Sequence, residues 1–195
     1  MEDKDVLDVG CGPRKIAGSI GLDRYSYPDV DIVADLERMP WPLPSGRFGE
    51  VHFNSSMEHL SDICAVMREV HRVSRSGARV FIHSPHYTSQ DAYADVTHKH
   101  AFSIFSFDYF LEGREGSFMR DCDFRLVTRR IDFWPLLGFE RFKPYWLVER
   151  LANVAPNFYE RFLAFMFPAR SIHVVLEVVK PGADRRPVSE GSGVA

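Results

Sequence analysis

Short apolar runs alternate along the chain with longer segments of helical periodicity. The runs predict strands at residues 5–9, 19–23, 31–34, 49–54, 78–83, 124–133 and 171–179. Because parallel strands need crossover connections, this alternation indicates an α/β domain built on a mostly parallel sheet.

The clearest helix is predicted over residues 61–75. Its apolar positions recur at spacings of three and four, at Leu60, Ile63, Met67 and Val70. Ser61 is the expected N-cap, and Gly77 follows the predicted end. This helix would connect the fourth and fifth strands.

Two segments do not fit the repeating pattern and are interpreted as insertions into a single domain over residues 1–180. Residues 85–122 follow the fifth strand, and residues 134–170 separate the last two strands. Residues 181–195 contain Pro, Gly, Ser and charged residues without periodicity, which predicts a disordered tail.

Both insertions are rich in aromatic residues, and two interpretations stay open. The residues are Phe102, Phe105, Phe107, Tyr109 and Phe110, then Trp146, Phe158, Tyr159, Phe162, Phe165 and Phe167. They either seat the insertions on the sheet, or they form a small-molecule pocket or a dimer surface.

Residues 144–168 are the most apolar part of the chain, but charged residues and a proline interrupt them. Glu149-Arg150 and Glu160-Arg161 leave no uncharged run near the roughly 20 residues that a spanning helix needs. We therefore predict no membrane span. A surface helix, or a helix that contacts a second copy or a partner subunit, is expected instead, here or in residues 85–122.

Composition excludes several classes of protein. The 195 residues carry 24 Lys and Arg against 27 Asp and Glu, a net charge of −3, so no global charge favours nucleic acid. Cys11, Cys64 and Cys122 are odd in number and lack CxxC spacing, which indicates a reducing compartment. The first residues, MEDKDVLDV, do not resemble a signal peptide, and we predict a cytoplasmic protein.

The stretch VLDVGCG, residues 6–12, predicts a buried strand that ends in a turn where backbone approaches a ligand closely. A nicotinamide fingerprint would need Gly or Ala at the position of Lys15, and its ribose-binding acid about 20 residues further on. Asp23 instead ends the second strand only 11 residues after Gly12. This spacing indicates a compact nucleoside site and disfavours a reductase.

Four motifs in order resemble those of class I S-adenosylmethionine-dependent methyltransferases, especially the type 11 group. They are VLDVGCGP, GLDRY, IVADLERMPWPLPSGRFGEVHFNSSMEHL and EVHRVSRSGARVFIHSPH, between about residues 5 and 86. The resemblance implies a Rossmann-like sheet of seven strands flanked by helices, here with the two insertions. It also implies S-adenosyl-L-methionine as the cofactor.

The resemblance assigns cofactor contacts by position. Asp8 and the backbone of Gly10, Cys11 and Gly12 would meet the aminoacyl end, Asp23 with Arg24 the ribose, and Asp35 and Leu36 the adenine; Asn54, Ser55 and Ser56 would line the methionine side. Most members also carry a helix before the first strand, whereas only MEDK precedes it here. We therefore expect residues 85–122 or a partner chain to cover the cofactor cleft.

A histidine cluster supplies candidates for the chemistry. Methyl transfer is a direct displacement for which an acceptor must be held in line about 3 Å from the methyl group, and a base is optional. The cluster contains His83, His86, Asp91, Asp95, His98 and His100, with His59 after the fourth strand. His59, His86 and His98 are the predicted catalytic residues.

Two histidines and a carboxylate from this cluster would also suit an open metal site. The spacing matches no specific ligand pattern, so no metal is assigned from the sequence. Two functions follow: an enzyme that methylates a small molecule, or a cofactor-binding subunit without activity of its own that completes a partner's site.

Overall fold

A computed structural model describes residues 5–113, 122–133 and 143–181. Its sheet contains β1 (Val6–Val9), β2 (Ile20–Asp23), β3 (Ile32–Val33), β4 (Phe48–Asn54), β5 (Ser74–Pro85), β6 (Asp123–Asp132) and β7 (Ser171–Val179). The order across the sheet is β3-β2-β1-β4-β5-β7-β6, and β7 runs antiparallel to both of its neighbours. This confirms the predicted seven-stranded, mostly parallel sheet.

The helical elements are few and mostly short. They are α1 (Ile63–Val73), α2 (Asp91–Ala94), α3 (Lys143–Val154) and α4 (Pro156–Phe158), which continues into a π-helical turn, Tyr159–Leu163. Single 3₁₀ turns occur at Met57–His59 and Ser106–Phe110. Within the described ranges, no helix combines the length and the apolar character needed to cross a membrane.

The centre of the sheet positions the site. β1 pairs in parallel with β2 on one side and with β4 on the other, with Leu7 opposite both Ile20 and Val51. Leu7 and Val51 are completely buried, as expected for a strand covered on both faces. Since the connections after β1 and β4 lead away from one another, their carboxyl ends border a crevice in which α/β proteins bind ligands.

Two details of the predicted helix were wrong. Asp62, not Ser61, is the N-cap, because its carboxylate accepts a hydrogen bond from the Ala65 N–H at 2.8 Å. The helix ends at Val73 and the chain enters β5 at once, so Gly77, with a φ of +77°, lies within a strand. Gly77 therefore does not end the helix; it occupies a left-handed backbone position within β5, where the register against β4 shifts.

The described connections before β4 contain no helix, and α1 is the crossover between β4 and β5. As a result, one face of the sheet is partly open. A cavity of about 350 Å³ on this face is lined by side chains that include His52, Phe81, His83 and His173.

The insertions are described in part. Residues 85–113 contain α2 and the turn Ser106–Phe110, and residues 143–170 contain α3 and α4. The tail predicted over 181–195 lies outside the described residues except for residue 181. The single-domain prediction stays a prediction.

Candidate cofactor and acceptor site

A cavity of about 590 Å³ lies at the carboxyl ends of β1, β2 and β4. Eight of the residues predicted to contact the cofactor line it: Gly10, Gly12, Asp23, Arg24, Asp35, Leu36, Ser55 and Ser56. Residues that are far apart in the sequence therefore meet at one concave surface.

The turn after β1 requires glycine at its first position. Gly10 has a φ of +67°, and a Cβ there would lie 2.5 Å from the Cβ of Ser56. The Ser56 hydroxyl donates to the Val9 carbonyl at 2.7 Å, which fixes the end of β4 against the end of β1. A side chain at position 10 would push these two strand ends apart.

Asp23 is held with its carboxylate oriented at the cavity wall. One oxygen accepts from the Gly12 N–H and the other from the Tyr25 N–H, both at 2.8 Å. Each carboxylate oxygen keeps further acceptor capacity, which suits a pair of ribose hydroxyls. This aspartate thereby also ties the glycine turn to the end of β2.

The wall after β3 combines a polar turn with an apolar surface. The Asp35 carboxylate accepts from the Glu37 N–H at 3.1 Å, and the carbonyl of Leu36 accepts from the buried Trp41 indole at 3.1 Å. Leu36 presents a largely buried side chain beside the Gly10 turn. An aromatic base could pack on such a surface.

Ser55 carries backbone strain at the end of β4. Its φ of +52° is unusual for a residue other than glycine, and its N–H donates to the His83 carbonyl at 2.9 Å. Strained residues of this kind concentrate at functional sites. At this residue the chain changes direction between the end of β4, beside the cofactor cavity, and the turn Met57–His59.

Three predicted cofactor residues do not line this cavity. The Asp8 carboxylate is buried and accepts from the Ile16 N–H at 2.8 Å, and burial raises its pKa. Burial likewise raises the pKa of the Cys11 thiol to about 11. Asn54 contacts His83 and lines the cavity on the open sheet face. Their roles in cofactor binding stay predictions.

The segment after β5 forms the remaining wall, through Val96, Thr97 and Lys99. The Lys99 ammonium lies 2.8 Å from the Glu37 carboxylate across the rim, and the Lys99 N–H donates to the Glu58 carbonyl. Hydrogen bonds from Lys99 and Ser61 lower the pKa of Glu37 to about 2. The motifs did not indicate this contact, because Glu37 and Lys99 are 62 positions apart.

Tyr25 and Tyr27 also line the cavity, beside Arg24. Neither tyrosine was among the predicted site residues, although GLDRY carries the first of them directly after the predicted ribose-binding pair. Two tyrosines directly after the strand that ends in the predicted ribose-binding aspartate are the sequence signal that could have identified them.

Two of the three predicted catalytic histidines meet beside the cofactor cavity. The His59 and His98 rings pack edge to face, with centroids 4.7 Å apart. A neighbouring cavity of about 660 Å³, called the second cavity below, is lined by both histidines. It shares Ser55, His59 and Val96 with the 590 Å³ cavity, which is called the first. The two cavities adjoin at His59.

His86 does not join this pair. Its side chain is completely buried, with Nδ1 2.7 Å from the Thr88 hydroxyl and Nε2 3.2 Å from the Glu160 carboxylate. It lines neither of the two cavities. Its position suits a structural role, because both ring nitrogens have hydrogen-bond partners and the buried ring is not accessible to a methyl acceptor.

Comparison with known proteins identifies the class to which this fold and site belong. A family model described as a methyltransferase domain matches residues 1–140. No curated protein matches the chain significantly in sequence.

Solved structures agree on the fold. The YcgJ protein of Bacillus subtilis is 14% identical over 91% of this chain and 92% of its own, with a TM-score of 0.55. A SAM-dependent methyltransferase from Archaeoglobus fulgidus is 18% identical over 88% and 85%, with a TM-score of 0.54. A methyltransferase from Haloferax volcanii, in complex with the activator Trm112, is 12% identical over 91% and 84%, with a TM-score of 0.54.

This chain belongs to the methyltransferase domain family. Membership confirms the resemblance to class I methyltransferases that the four motifs indicated, and with it S-adenosylmethionine as the cofactor.

Proposed function

We propose that this protein transfers the methyl group of S-adenosylmethionine to a small-molecule acceptor that binds beside His59 and His98. The observation that carries the proposal is the junction of the two cavities. The wall formed by the glycine turn and Asp23 lies in one, and the histidine pair lies at its border with the other.

The cofactor would lie along the first cavity in the order that the motifs imply. The Gly10 turn would face the aminoacyl end, Asp23 the ribose hydroxyls, and Leu36 the adenine ring. Ser55 would then lie near the methyl group, at the boundary with the second cavity. An acceptor in that second cavity would approach the methyl group from the side of His59.

An imidazole at this boundary can activate an acceptor hydroxyl. A neutral imidazole carries one ring nitrogen whose lone pair can accept the proton of a hydroxyl held against it. His59 and His98 are both accessible from the second cavity, whereas His86 is enclosed. We therefore retain the first two as the residues that act on the acceptor.

Calorimetric titration with S-adenosylhomocysteine tests the cofactor site. Asp23→Asn keeps the shape of the side chain but removes its charge, and we expect binding about 10- to 100-fold weaker because hydrogen bonds to charged groups are the stronger ones. Asp29→Asn is the matched control, since Asp29 is an exposed aspartate outside the cavity. Equal affinities of the two variants would refute the assignment.

A screen of metabolite extracts with labelled cofactor, read by mass spectrometry, would identify the acceptor. With that acceptor, His98→Ala is expected to lower turnover while the affinity for S-adenosylhomocysteine stays near the wild-type value. His100→Ala is the control, because His100 lines neither cavity; its Nε2 lies 3.2 Å from the Ser61 carbonyl and its ring stacks on Phe102. Unchanged turnover in His98→Ala would remove His98 from the mechanism.

A second candidate function is that of a subunit that binds the cofactor and completes a partner's site. α3, α4 and the chain that follows them expose an apolar surface, formed by Trp146, Leu147, Val154, Phe158, Phe162, Phe165 and Met166. The similar Haloferax volcanii methyltransferase was solved with an activator protein. Cofactor binding without turnover, with turnover restored by a partner, would favour this alternative.

We also propose a cytoplasmic location. None of the three cysteines, Cys11, Cys64 and Cys122, forms a disulfide, and Cys11 and Cys122 are buried. Free thiols are typical of reducing compartments.

A further inference from the structure

Glu58, His59 and His98 meet at the border of the two cavities. One carboxylate oxygen of Glu58, one ring nitrogen of His59 and one of His98 lie within 4.8 Å of one another. Glu58 was not among the predicted site residues, although it precedes His59 directly.

Glu58 has the properties of a carboxylate that lacks its counterpart. Its side chain is 1% exposed, and Oε2 accepts from the Ser84 hydroxyl at 3.0 Å. Oε1 is buried and accepts no hydrogen bond from any described residue. Burying an unsatisfied charged oxygen is costly, so this position favours a bound cation.

The hydrogen bonds of the two imidazoles determine which nitrogen is free. His98 Nδ1 lies 3.2 Å from the Ala92 carbonyl, which can only accept, so Nδ1 carries the proton. His59 Nδ1 lies 2.9 Å from the Thr97 hydroxyl, which gives its own hydrogen to Asp95 at 2.7 Å and must therefore accept from the ring. Among the described residues, Nε2 of neither ring has a hydrogen-bond partner, so its lone pair is available in both rings.

This arrangement matches the surroundings of metal-binding histidines, whose second nitrogen usually donates to a carbonyl or a carboxylate-linked group. We propose that Glu58, His59 and His98 bind a divalent transition-metal ion beside the methyl group of the cofactor. Two imidazoles and one carboxylate suit ions such as Zn²⁺ and Fe²⁺ and leave coordination positions open.

The open positions would take an oxygen ligand from the acceptor, and this part rests on the proposed methyl transfer. With the ion bound, the metal replaces the two imidazoles as the group that activates the acceptor hydroxyl. Coordination lowers the pKa of a hydroxyl, so its proton passes to solvent and the oxygen becomes the nucleophile. The new bond joins that oxygen to the methyl carbon as the bond from carbon to sulfur breaks. The products are a methyl ether and S-adenosylhomocysteine.

Metal binding can be measured without any methyl acceptor. The full chain is stripped with a chelator and titrated with Zn²⁺ by calorimetry, and Co²⁺ is added separately to record its visible absorption. We expect one ion per chain and a Co²⁺ spectrum typical of nitrogen and oxygen ligands. No uptake of either ion would overturn the proposal.

Variants assign the ligands. His59→Ala, His98→Ala and Glu58→Gln are each expected to bind Zn²⁺ at least tenfold more weakly, and Thr97→Val about tenfold more weakly because it releases the His59 ring. His100→Ala, two positions from His98, should bind as the wild type does. Wild-type affinity in both His59→Ala and His98→Ala would refute the site.

Circular dichroism checks that each variant is folded. Affinity for S-adenosylhomocysteine is measured on every variant as well. It separates this proposal from the proposed function. Metal uptake by a chain that does not bind the cofactor would leave the metal site standing and refute the methyltransferase function. Cofactor binding without metal uptake would refute the metal site and leave the methyltransferase function standing.

Discussion

Two glutamates contact the segment that follows β5, and their surroundings are opposite. The Glu160 carboxylate accepts from the Ser103 hydroxyl at 2.6 Å, from the Ile104 N–H at 2.8 Å and from His86 at 3.2 Å. Glu58 accepts one hydrogen bond from Ser84 and leaves Oε1 without a partner among the described residues. One network is complete, and the other lacks a component.

The pKa directions follow from this difference. Burial alone would raise the pKa of Glu160, but the donors around it outweigh burial and lower the pKa. Burial of Glu58 is not offset in this way, and its pKa is raised. The comparison teaches that a buried carboxylate is structural where donors surround it, and a candidate ligand where a lone pair is left over.

Replacing each glutamate with glutamine gives the largest expected difference. Glu160→Gln weakens three contacts and turns one acceptor oxygen into a donor, so the free energy of unfolding should fall by about 1–3 kcal/mol. Glu58→Gln, measured in the metal-free protein, should change it by less than about 0.5 kcal/mol, because the lost charge was poorly compensated. Urea unfolding of both variants provides the measurement.

Matched conditions are essential for this pair, since a bound ion would stabilise the wild-type chain through Glu58. Both variants are therefore unfolded in chelator. Equal losses in the two variants would mean that the carboxylates are supported alike, and the contrast between them would fail.

The dependence of stability on pH sharpens the same contrast with a smaller effect. The lowered pKa of Glu160 means that its contribution is fully present above the unfolded value, about 4.3, and is lost as pH falls through the folded value. Glu160→Gln lacks this contribution at every pH. The gap in stability between wild type and variant should therefore narrow as pH falls below about 4.3.

Urea unfolding of wild type and Glu160→Gln at several pH values tests this sign. Other acidic groups titrate equally in both proteins and cancel in the difference. A gap that stays constant, or widens on acidification, would contradict the complete network around Glu160.

Much of the fold could be predicted from the sequence, because buried parallel strands are short apolar runs. The predicted limits of 171–179 agree with β7, and 19–23 differs from β2 by one residue. β5 was predicted over 78–83 but starts at Ser74, since its first residues are polar and carry no apolar signal. The sequence could not assign the N-cap to Asp62 and not to Ser61, because Ser and Asp are about equally good N-cap residues.

The candidate site was predictable only where a contiguous motif carries it. Gly10, Asp23 and Ser56 belong to such motifs and line one cavity. The proximity of Glu58 to His98 depends on how residues 85–113 return over the end of β4, and no local pattern encodes that path. The same path buries His86, which has the same chemistry as His98 and a different surrounding.

The aromatic residues of the two insertions separate in a comparable way. Phe102, Phe107 and Phe110 are buried in the core, as the first interpretation held. Phe162 and Phe165 are exposed after α4, which leaves a partner surface open as an interpretation. Composition alone could not distinguish the two groups, because both insertions are rich in aromatic residues.

The smallest expected effect concerns a third carboxylate, Glu37, whose Oε1 accepts from the Ser61 N–H at 2.6 Å and from the Lys99 ammonium at 2.8 Å. Lys99 and Ser61 lower its pKa to about 2, yet its side chain is 34% exposed. Water and ions screen such a pair, so Lys99→Met should lower the free energy of unfolding by less than about 0.5 kcal/mol. Hydrogen-bond donors lower the pKa of both Glu37 and Glu160, but only Glu160 is largely buried. If Lys99→Met lost as much free energy of unfolding as Glu160→Gln, the number of donors, and not the burial of the carboxylate, would decide how strongly such a network stabilises this fold.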